Sequence, residues 1–408
     1  MTEVLERVSA RGKSSRRAIT FGLVFLGAGL AIFLLFARGA TQAETTTFDL
    51  MPRQSESLPV PDLSFPTLAA LYAFTIISVF IGGWQLARGF RRVNLALGAV
   101  AGLFVLAFLT WAARDKSLNL TGLLSSALLR AVPIALAALS GVICERCAVI
   151  NIGIEGMMLT GAFVAALMGS VAANVWQWPA GLAQIFGLIS ALAAGALLGL
   201  LLAVLAVRFK IDQIIAGTAI NILGTGITSF LSARILAEFG QLNNPGIFPQ
   251  FSIPLLAKIP VVGPVFFEQN GLVYLLFILM TVTHVILFFT RWGLRTRAVG
   301  EHPRAADTLG IDVFKNRYVN VTVGGMVGAL GGAFLILGSV GRFDELMTAG
   351  KGFIGLAAMI FGHWMPFGAF GAALIFGFAD ALQTKLAILE VPIPSQFMLM
   401  APYLVTMV

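Results

Sequence analysis

The chain has 408 residues, 58% hydrophobic and 11% charged, with a formal net charge of +8. A soluble chain carries about a quarter charged residues, so the composition excludes a string of soluble domains and points to a membrane protein. The basic excess does not point to nucleic acid, because Lys and Arg punctuate apolar runs instead of gathering in one patch, and that punctuation orients membrane helices.

In chain order, apolar segments are expected at 18–37, 67–87, 93–113, 120–143, 150–172, 180–207, 213–233, 271–290, 318–341, 352–362, 366–384 and 397–408. Most approach the ~20 residues that a helix needs to cross a bilayer. The expected fold is therefore all-α: a polytopic membrane protein with about 10–12 hydrophobic segments. The N-terminal region, residues 1–113, holds three of them, and a core of residues 114–408 holds the rest. The first run, Ala18 to Ala37, is too long for the apolar part of a secretory signal, and Phe36-Ala37-Arg38 lacks a small-x-small cleavage site. With the N-terminus inside and every segment crossing, inside loops hold roughly twice as many Lys and Arg as outside loops, the bias that sets topology. An N-terminus on the cytoplasmic side is expected.

Cys144 and Cys147 form a CxxC without a second pair or a nearby His, so neither a zinc site nor a redox motif is read there. The next stretch carries Glu145-Arg146, Asn151 and Glu155. A carboxylate inside an apolar segment is by default a functional candidate, and Glu155 lies one helical turn from Asn151, on the same face. Polar groups capping and pairing locally at a helix start are the plainer reading. Asp212-Gln213, Asn221, Asp380 and Ser395-Gln396 are further polar groups at or within apolar runs. Asn221 follows Gly217 by one turn and Gln213 by two, so one face of a helix presents amides, which suit a neutral hydroxylated or nucleobase ligand. Phe230 and Phe353 are stacking candidates among 33 Phe, most of which are core or lipid-facing.

Gly324, Gly328 and Gly332 fall on one helical face and Gly195 and Gly199 repeat the spacing, as close helix packing requires. Gly350-Lys351-Gly352 lacks the first glycine and the hydroxyl residue of a P-loop, so no nucleotide site is expected on this chain. The longest inside loop runs from Arg291 to Arg317. Pro303 suits the first turn of a short helix, Ala305, Ala306 and Leu309 give it a small apolar face, and Gly310 suits its end. The signals fit a docking element for a partner protein and, equally, a solvated connector. Residues 352–362 are too few to cross, and Gly362-His363-Trp364-Met365-Pro366 breaks the run, so one broken or re-entrant helix is expected near 352–366. The last run is about 12 residues, too short for a span, which suggests a sequence cut within its final helix.

The chain resembles permease subunits of binding-protein-dependent ABC importers, in the branch for branched-chain amino acids, simple sugars and nucleosides. The resemblance rests on Glu145-Arg146, on Val149-Ile-Asn-Ile-Gly-Ile-Glu-Gly-Met-Met-Leu and on Ile211-Asp-Gln-Ile-Ile-Ala-Gly-Thr-Ala-Ile-Asn. It rests also on Ala298-Val-Gly-Glu-His-Pro-Arg-Ala-Ala-Asp-Thr-Leu-Gly-Ile-Asp and Gly350-Lys-Gly-Phe-Ile-Gly-Leu-Ala-Ala-Met-Ile-Phe-Gly. Phe376-Gly-Phe-Ala-Asp-Ala-Leu-Gln and Pro394-Ser-Gln-Phe complete the set, in order, over about residues 120–408. The motifs look most like those of nucleoside and simple-sugar members. Cys144, Cys147 and His363 depart from the usual pattern.

The resemblance implies the ABC importer permease fold and a transporter rather than an enzyme, in the cell's inner or plasma membrane. Gly300, Glu301, Pro303, Arg304, Asp307, Gly310 and Asp312 would then form the loop that couples to the ATPase. Asn151, Glu155, Gln213, Asn221, Phe353, Asp380 and Gln396 would lie on the translocation path or in its motifs. Implied partners are a cytoplasmic ABC ATPase, which would bind the ATP and Mg, an extracytoplasmic solute-binding protein, and a second permease subunit, identical or paralogous. No cofactor or metal is implied on this chain. The solute would be a nucleoside, with a simple sugar or branched-chain amino acid as alternatives. An ion-coupled secondary transporter is the competing class, favoured by Glu155, Asp380 and the broken helix and disfavoured by the lack of a matching broken helix elsewhere.

Overall fold

A computed structural model describes residues 2–51, 57, 60–389 and 400, with side chains from residue 16 onward. Contacts divide the chain into two compact units, one of residues 1–121 with 385–393 and the other of 122–384 with 394–408. Ten helices among the described residues are long and apolar enough to cross a membrane. They match the expected spans closely because burying an unpaired backbone in hydrocarbon is costly, so each apolar run must close its own hydrogen bonds as a helix. The segment expected at 397–408, and Gln396 before it, lie outside the described residues, residue 400 apart.

In the first unit, α1 (Thr2–Ala31), α2 (Thr67–Ala87) and α3 (Val93–Ala112) are the three expected segments. Phe36, in a wide turn that continues α1, packs its ring against Phe104, Phe108 and Trp111 with centroids 5.6, 5.8 and 5.6 Å away. Between α1 and α2 lie β1 (Thr45–Asp49) and β2 (Leu63–Pro66), and β3 (Ser117–Asn119) follows α3. β1 is central, antiparallel to β2 and parallel to β3. Buried Thr46 fastens the sheet to the helices, sharing a 2.8 Å hydroxyl bond with Thr67 and donating to the Thr110 carbonyl at 3.0 Å.

The second unit is built around α4 (Leu120–Glu145), α5 (Ile154–Ser170) and α11 (Val313–Leu335), which are mostly buried. α6 (Ala180–Ala203), α7 (Gln213–Leu231), α8 (Gly271–Phe289) and α13 (Pro366–Ile388) are largely exposed by comparison. A hairpin of β4 (Gln250–Ser252) and β5 (Glu268–Asn270) precedes α8. Small residues set the closest helix approaches. A Cβ on Gly325 would come 2.8 Å from the Gly199 Cα, so neither glycine tolerates a side chain there. The glycine face foreseen at 324, 328 and 332 serves other partners: Gly324 and Gly328 face Ser140 of α4, and Gly332 faces Met158 of α5.

Two short helices lie in the loop between α8 and α11, α9 (Arg291–Glu301) and α10 (Pro303–Thr308), and α12 (Lys351–Phe361) is the short apolar one. At 1.5 Å per residue, the 11 residues of α12 fall well short of the ~30 Å hydrocarbon core. It ends at Gly362, and His363 and Trp364 then turn the chain at φ 54° and 53° before α13 begins. Left-handed backbone at two non-glycine residues persists only where the surroundings hold it.

Candidate coupling and gating site

The loop from Arg291 to Arg317 contains more order than the sequence suggested. α9 was not foreseen, so Gly300 and Glu301 belong to a helix and not to a connector. His302 separates α9 from α10, its Nδ1 accepting the Ala305 N–H at 3.1 Å, while Pro303 fills the first turn. Gly310 ends the motif at φ 77°, and Asp312 caps α11 by accepting the Lys315 N–H at 2.8 Å. The apolar face of α10 is narrower than expected. Only Ala306 is buried, whereas Ala305 is exposed and Leu309 stands 81% exposed. Arg304 and Asp307 are exposed beside it.

Beneath α10, Ala306 and Val299 join a buried cluster with Cys144, Cys147, Val149 and Met157, together with Ala216 and Ile220 of α7. The loop thus rests on residues 144–157, the link between α4 and α5. A buried amide network roots α9 to α11: Asn316 and Asn320 each donate from Nδ2 to the Thr296 hydroxyl at 3.2 Å, and Asn320 donates also to the Asn316 carbonyl at 2.8 Å. Arg317 Nε donates to the Cys147 carbonyl at 3.2 Å. Gly300 abuts the Arg146 carbonyl so closely that a Cβ has no room.

The same link grips α12 at both ends. Glu155, at the start of α5, accepts the Gly350 N–H on Oε1 at 2.8 Å and the Gly352 N–H on Oε2 at 2.6 Å. A carboxylate at a helix N-terminus fits the positive end of its dipole and orphan N–H groups. A Cβ on Gly352 would come 2.7 Å from Glu155 Oε2, so glycine is what lets the two elements meet. The glycine turn at 350–352 therefore does hold an anion, and the anion is the chain's own side chain.

At the other end, the turn after α12 is held by Glu145 and Arg146. Glu145 accepts the Trp364 indole N–H at 2.5 Å, and Arg146 donates to the Trp364 carbonyl from Nη2 at 2.7 Å and Nε at 3.2 Å. The Arg146 and Arg297 guanidinium groups lie over the Phe288 ring at 5.4 and 5.2 Å. Burial, and then the positive charge of Arg297, push the Arg146 pKa below its ordinary value, with Glu301 opposing. A cavity of about 370 Å³ lies among these groups, lined by Glu145, Arg146, Arg297, Glu301 and Trp364.

α7 holds the link from a third side. Gln213 Oε1 accepts the Ile150 N–H at 2.7 Å. Asn221 Oδ1 accepts the Gly156 N–H at 2.8 Å, and its Nδ2 donates to the Ile152 carbonyl at 2.9 Å. The two amides do share a face, as the spacing indicated, and that face meets the backbone before α5 and in its first turn. Asn151 is fully buried inside the link, its Nδ2 near the Cys144 and Met157 sulfurs at 3.7 and 3.6 Å and its Oδ1 without a partner. Cys147 is fully buried as well, and burial pushes its thiol up to about 12.

The remaining predicted residues lie elsewhere. Asp380 of α13 pairs with Arg130 of α4 at 2.7 Å, and Arg130 also donates to the Thr384 hydroxyl at 3.0 Å. Phe353 of α12 and Phe230 of α7 are exposed on this single chain. Sequence reasoning noted Glu145-Arg146 without a role and missed Arg297, Arg317, Trp364 and the Thr296–Asn316–Asn320 network. Asn316 and Asn320 carried a usable signal, two amides one turn apart before an apolar run.

A pair of short helices, α9 and α10, is thus tied through one link to the short apolar helix α12. Comparison with known proteins decides the family. Residues 123–407 match the family described as branched-chain amino acid transport system / permease component. The chain belongs to that family. A guanosine ABC transporter permease protein of Bacillus subtilis is 42% identical over 286 residues, 68% of this chain and 88% of the relative. A nucleoside ABC transporter permease protein of Lactococcus lactis is 37% identical over 70% of this chain and 90% of its own length. A putative glucose ABC transporter permease protein of Haloferax volcanii is 35% identical over 65% and 77%. No solved structure matches the chain. This permease component is thus a multi-pass membrane protein of a transporter family, and the link between α4 and α5, the α9–α10 pair and α12 all fall inside the matched residues.

Proposed function

We propose that this permease component forms part of the membrane path of an ABC importer for nucleosides, in the inner or plasma membrane with its N-terminus cytoplasmic. A cytoplasmic ATPase bearing ATP and Mg docks on α9 and α10, a solute-binding protein delivers the solute from outside, and a second permease subunit completes the path. The observation that supports this reading is the convergence on residues 145–156. Ala306 and Val299 rest on that link, and Glu155, Glu145 and Arg146 hold α12 from it. α10 and α12 thus touch the same link, through which a displacement of α10 would act on α12.

In this reading Glu301, Arg304 and Asp307 with exposed Leu309 meet the ATPase. Asn151, Glu155, Gln213 and Asn221 carry the motion as positioning residues, and Phe353 offers a ring to the solute. Two of the relatives are named for guanosine or nucleoside transport, which supports a nucleoside over a sugar. The test is competition: the reconstituted complex takes up a labelled nucleoside, and excess unlabelled nucleoside suppresses uptake whereas glucose and leucine do not. Suppression by glucose alone would replace the nucleoside assignment with a sugar.

A further inference from the structure

The matched family residues begin at 123, after the three helices of the N-terminal unit. Several of its arginines line one cavity. Where α2 turns into α3, an open cavity of about 1270 Å³ is lined by Arg17, Arg88, Arg91 and Arg92 together with Gln85. Among the described residues, no acidic side chain lines it. Lys and Arg at such turns serve topology, but topology depends on charge count and not on a concave arrangement.

Two observations go beyond topology. Gln85 is only 1% exposed; its Oε1 accepts the Phe90 N–H at 2.8 Å, which fixes the amide's orientation and leaves the buried Nε2 without a partner. A buried donor without an acceptor is costly and calls for an unseen one. The first turn of α3 opens on the same cavity, and its N-cap residue, Arg92, makes no side-chain cap. Orphan N–H groups at a helix start favour an anion. The Arg88 and Arg17 guanidinium groups lie over the Trp84 and Phe21 rings at 4.8 and 5.7 Å, which leaves their N–H edges available. Four arginine side chains, an amide donor and a helix start suit a phosphate, whose oxygens accept several hydrogen bonds and pair with arginine forks.

The rim decides the source. Leu86 and Leu95 line the cavity and are 41% and 66% exposed, at the ends of spans that run into the bilayer. A phosphate carrying acyl chains would use both the basic floor and the apolar rim, and basic pockets between membrane helices bind acidic head groups. We propose that the α2–α3 turn of the N-terminal unit is a binding site for the phosphate of an acidic phospholipid.

The experiment measures lipid retained by the full-length chain, by native mass spectrometry after extraction from vesicles of phosphatidylglycerol and phosphatidylcholine. The wild-type chain should retain phosphatidylglycerol selectively. The triple variant Arg88→Gln, Arg91→Gln, Arg92→Gln should lose roughly a hundredfold in apparent affinity, since each basic side chain near an acidic surface contributes about fivefold. Gln85→Glu keeps the acceptor for Phe90 and every loop arginine, so it leaves turn and topology alone while placing a carboxylate where the phosphate would sit. It should lose about tenfold. Equal retention of the two lipids by the wild-type chain, or unchanged retention in both variants, would overturn the site. Displacement of phosphatidylglycerol by inorganic phosphate alone would assign the cavity to a soluble anion and overturn the lipid.

Discussion

α10 and α12 are two short helices, of six and 11 residues, and neither is long enough to be stable in isolation. They are held in opposite ways. α10 has one local cap from His302, one buried side chain in Ala306 and an otherwise exposed surface. α12 is fixed at both ends by charged side chains from distant parts of the chain, Glu155 at its start and Glu145 with Arg146 at the turn that follows. The first is free to be moved by something outside the chain. The second can only move with the link that grips it. That division fits a transport subunit whose driving force arrives on one helix and whose gate is another.

The largest expected effect comes from disabling the free helix. Gly310 adopts φ 77°, a conformation closed to proline. Gly310→Pro should abolish uptake while the partner ATPase continues to hydrolyse ATP, and Glu301→Lys should uncouple in the same direction. Coupled transport in both variants would remove α9 and α10 from the driving role.

Breaking the fixed helix comes next. Glu155→Ala removes two charge-assisted hydrogen bonds at about 1.5–3 kcal/mol each, and should slow uptake by at least about a hundredfold without weakening ATPase binding in pull-down. Glu155→Gln retains one acceptor oxygen and should fall between. If Glu155→Ala and Glu155→Gln were equally impaired, charge alone would matter and the two-bond grip would not.

Asn221→Leu tests the third hold on the link. It costs two neutral hydrogen bonds of about 1 kcal/mol each, so uptake should fall about thirtyfold with ATPase docking intact. Unchanged solute affinity and rate would show Asn221 to be dispensable to the motion.

The smallest effect concerns Cys147. Burial disfavours its thiolate, so the folded pKa of about 12 lies above the unfolded value of about 8.5. The resulting stability is fully present below the unfolded value and is lost as pH rises toward the folded one. At about pH 9, iodoacetamide should label Cys147 far more slowly in the native protein than after denaturation. Equal rates would mean that α10 does not cover the link.

Legibility in the sequence followed the range of the interaction. Spans were readable because an apolar helix satisfies its own backbone, and Pro303 and Gly310 were readable because they act on their own φ. Two boundaries were hidden by polar residues in helical positions: α11 begins at Val313, ahead of the apolar run, because Lys315, Asn316 and Arg317 occupy its first turns, and α9 carries too many arginines to look like a helix with a buried side. The holds on α12 were invisible for a different reason. Glu155 meets Gly350 across 195 positions and Glu145 meets Trp364 across 219, so no local pattern relates them. Glu155 was legible as important and not as a helix anchor, since cost in the membrane marks the carboxylate but not its partner.

The most direct test of the account is uptake by the chain reconstituted with its ATPase and binding protein, measured with an active and a hydrolysis-dead ATPase. Saturable nucleoside uptake that requires ATP and vanishes with the dead ATPase is expected. Uptake that persists with the dead ATPase and collapses when the proton gradient is dissipated would contradict it.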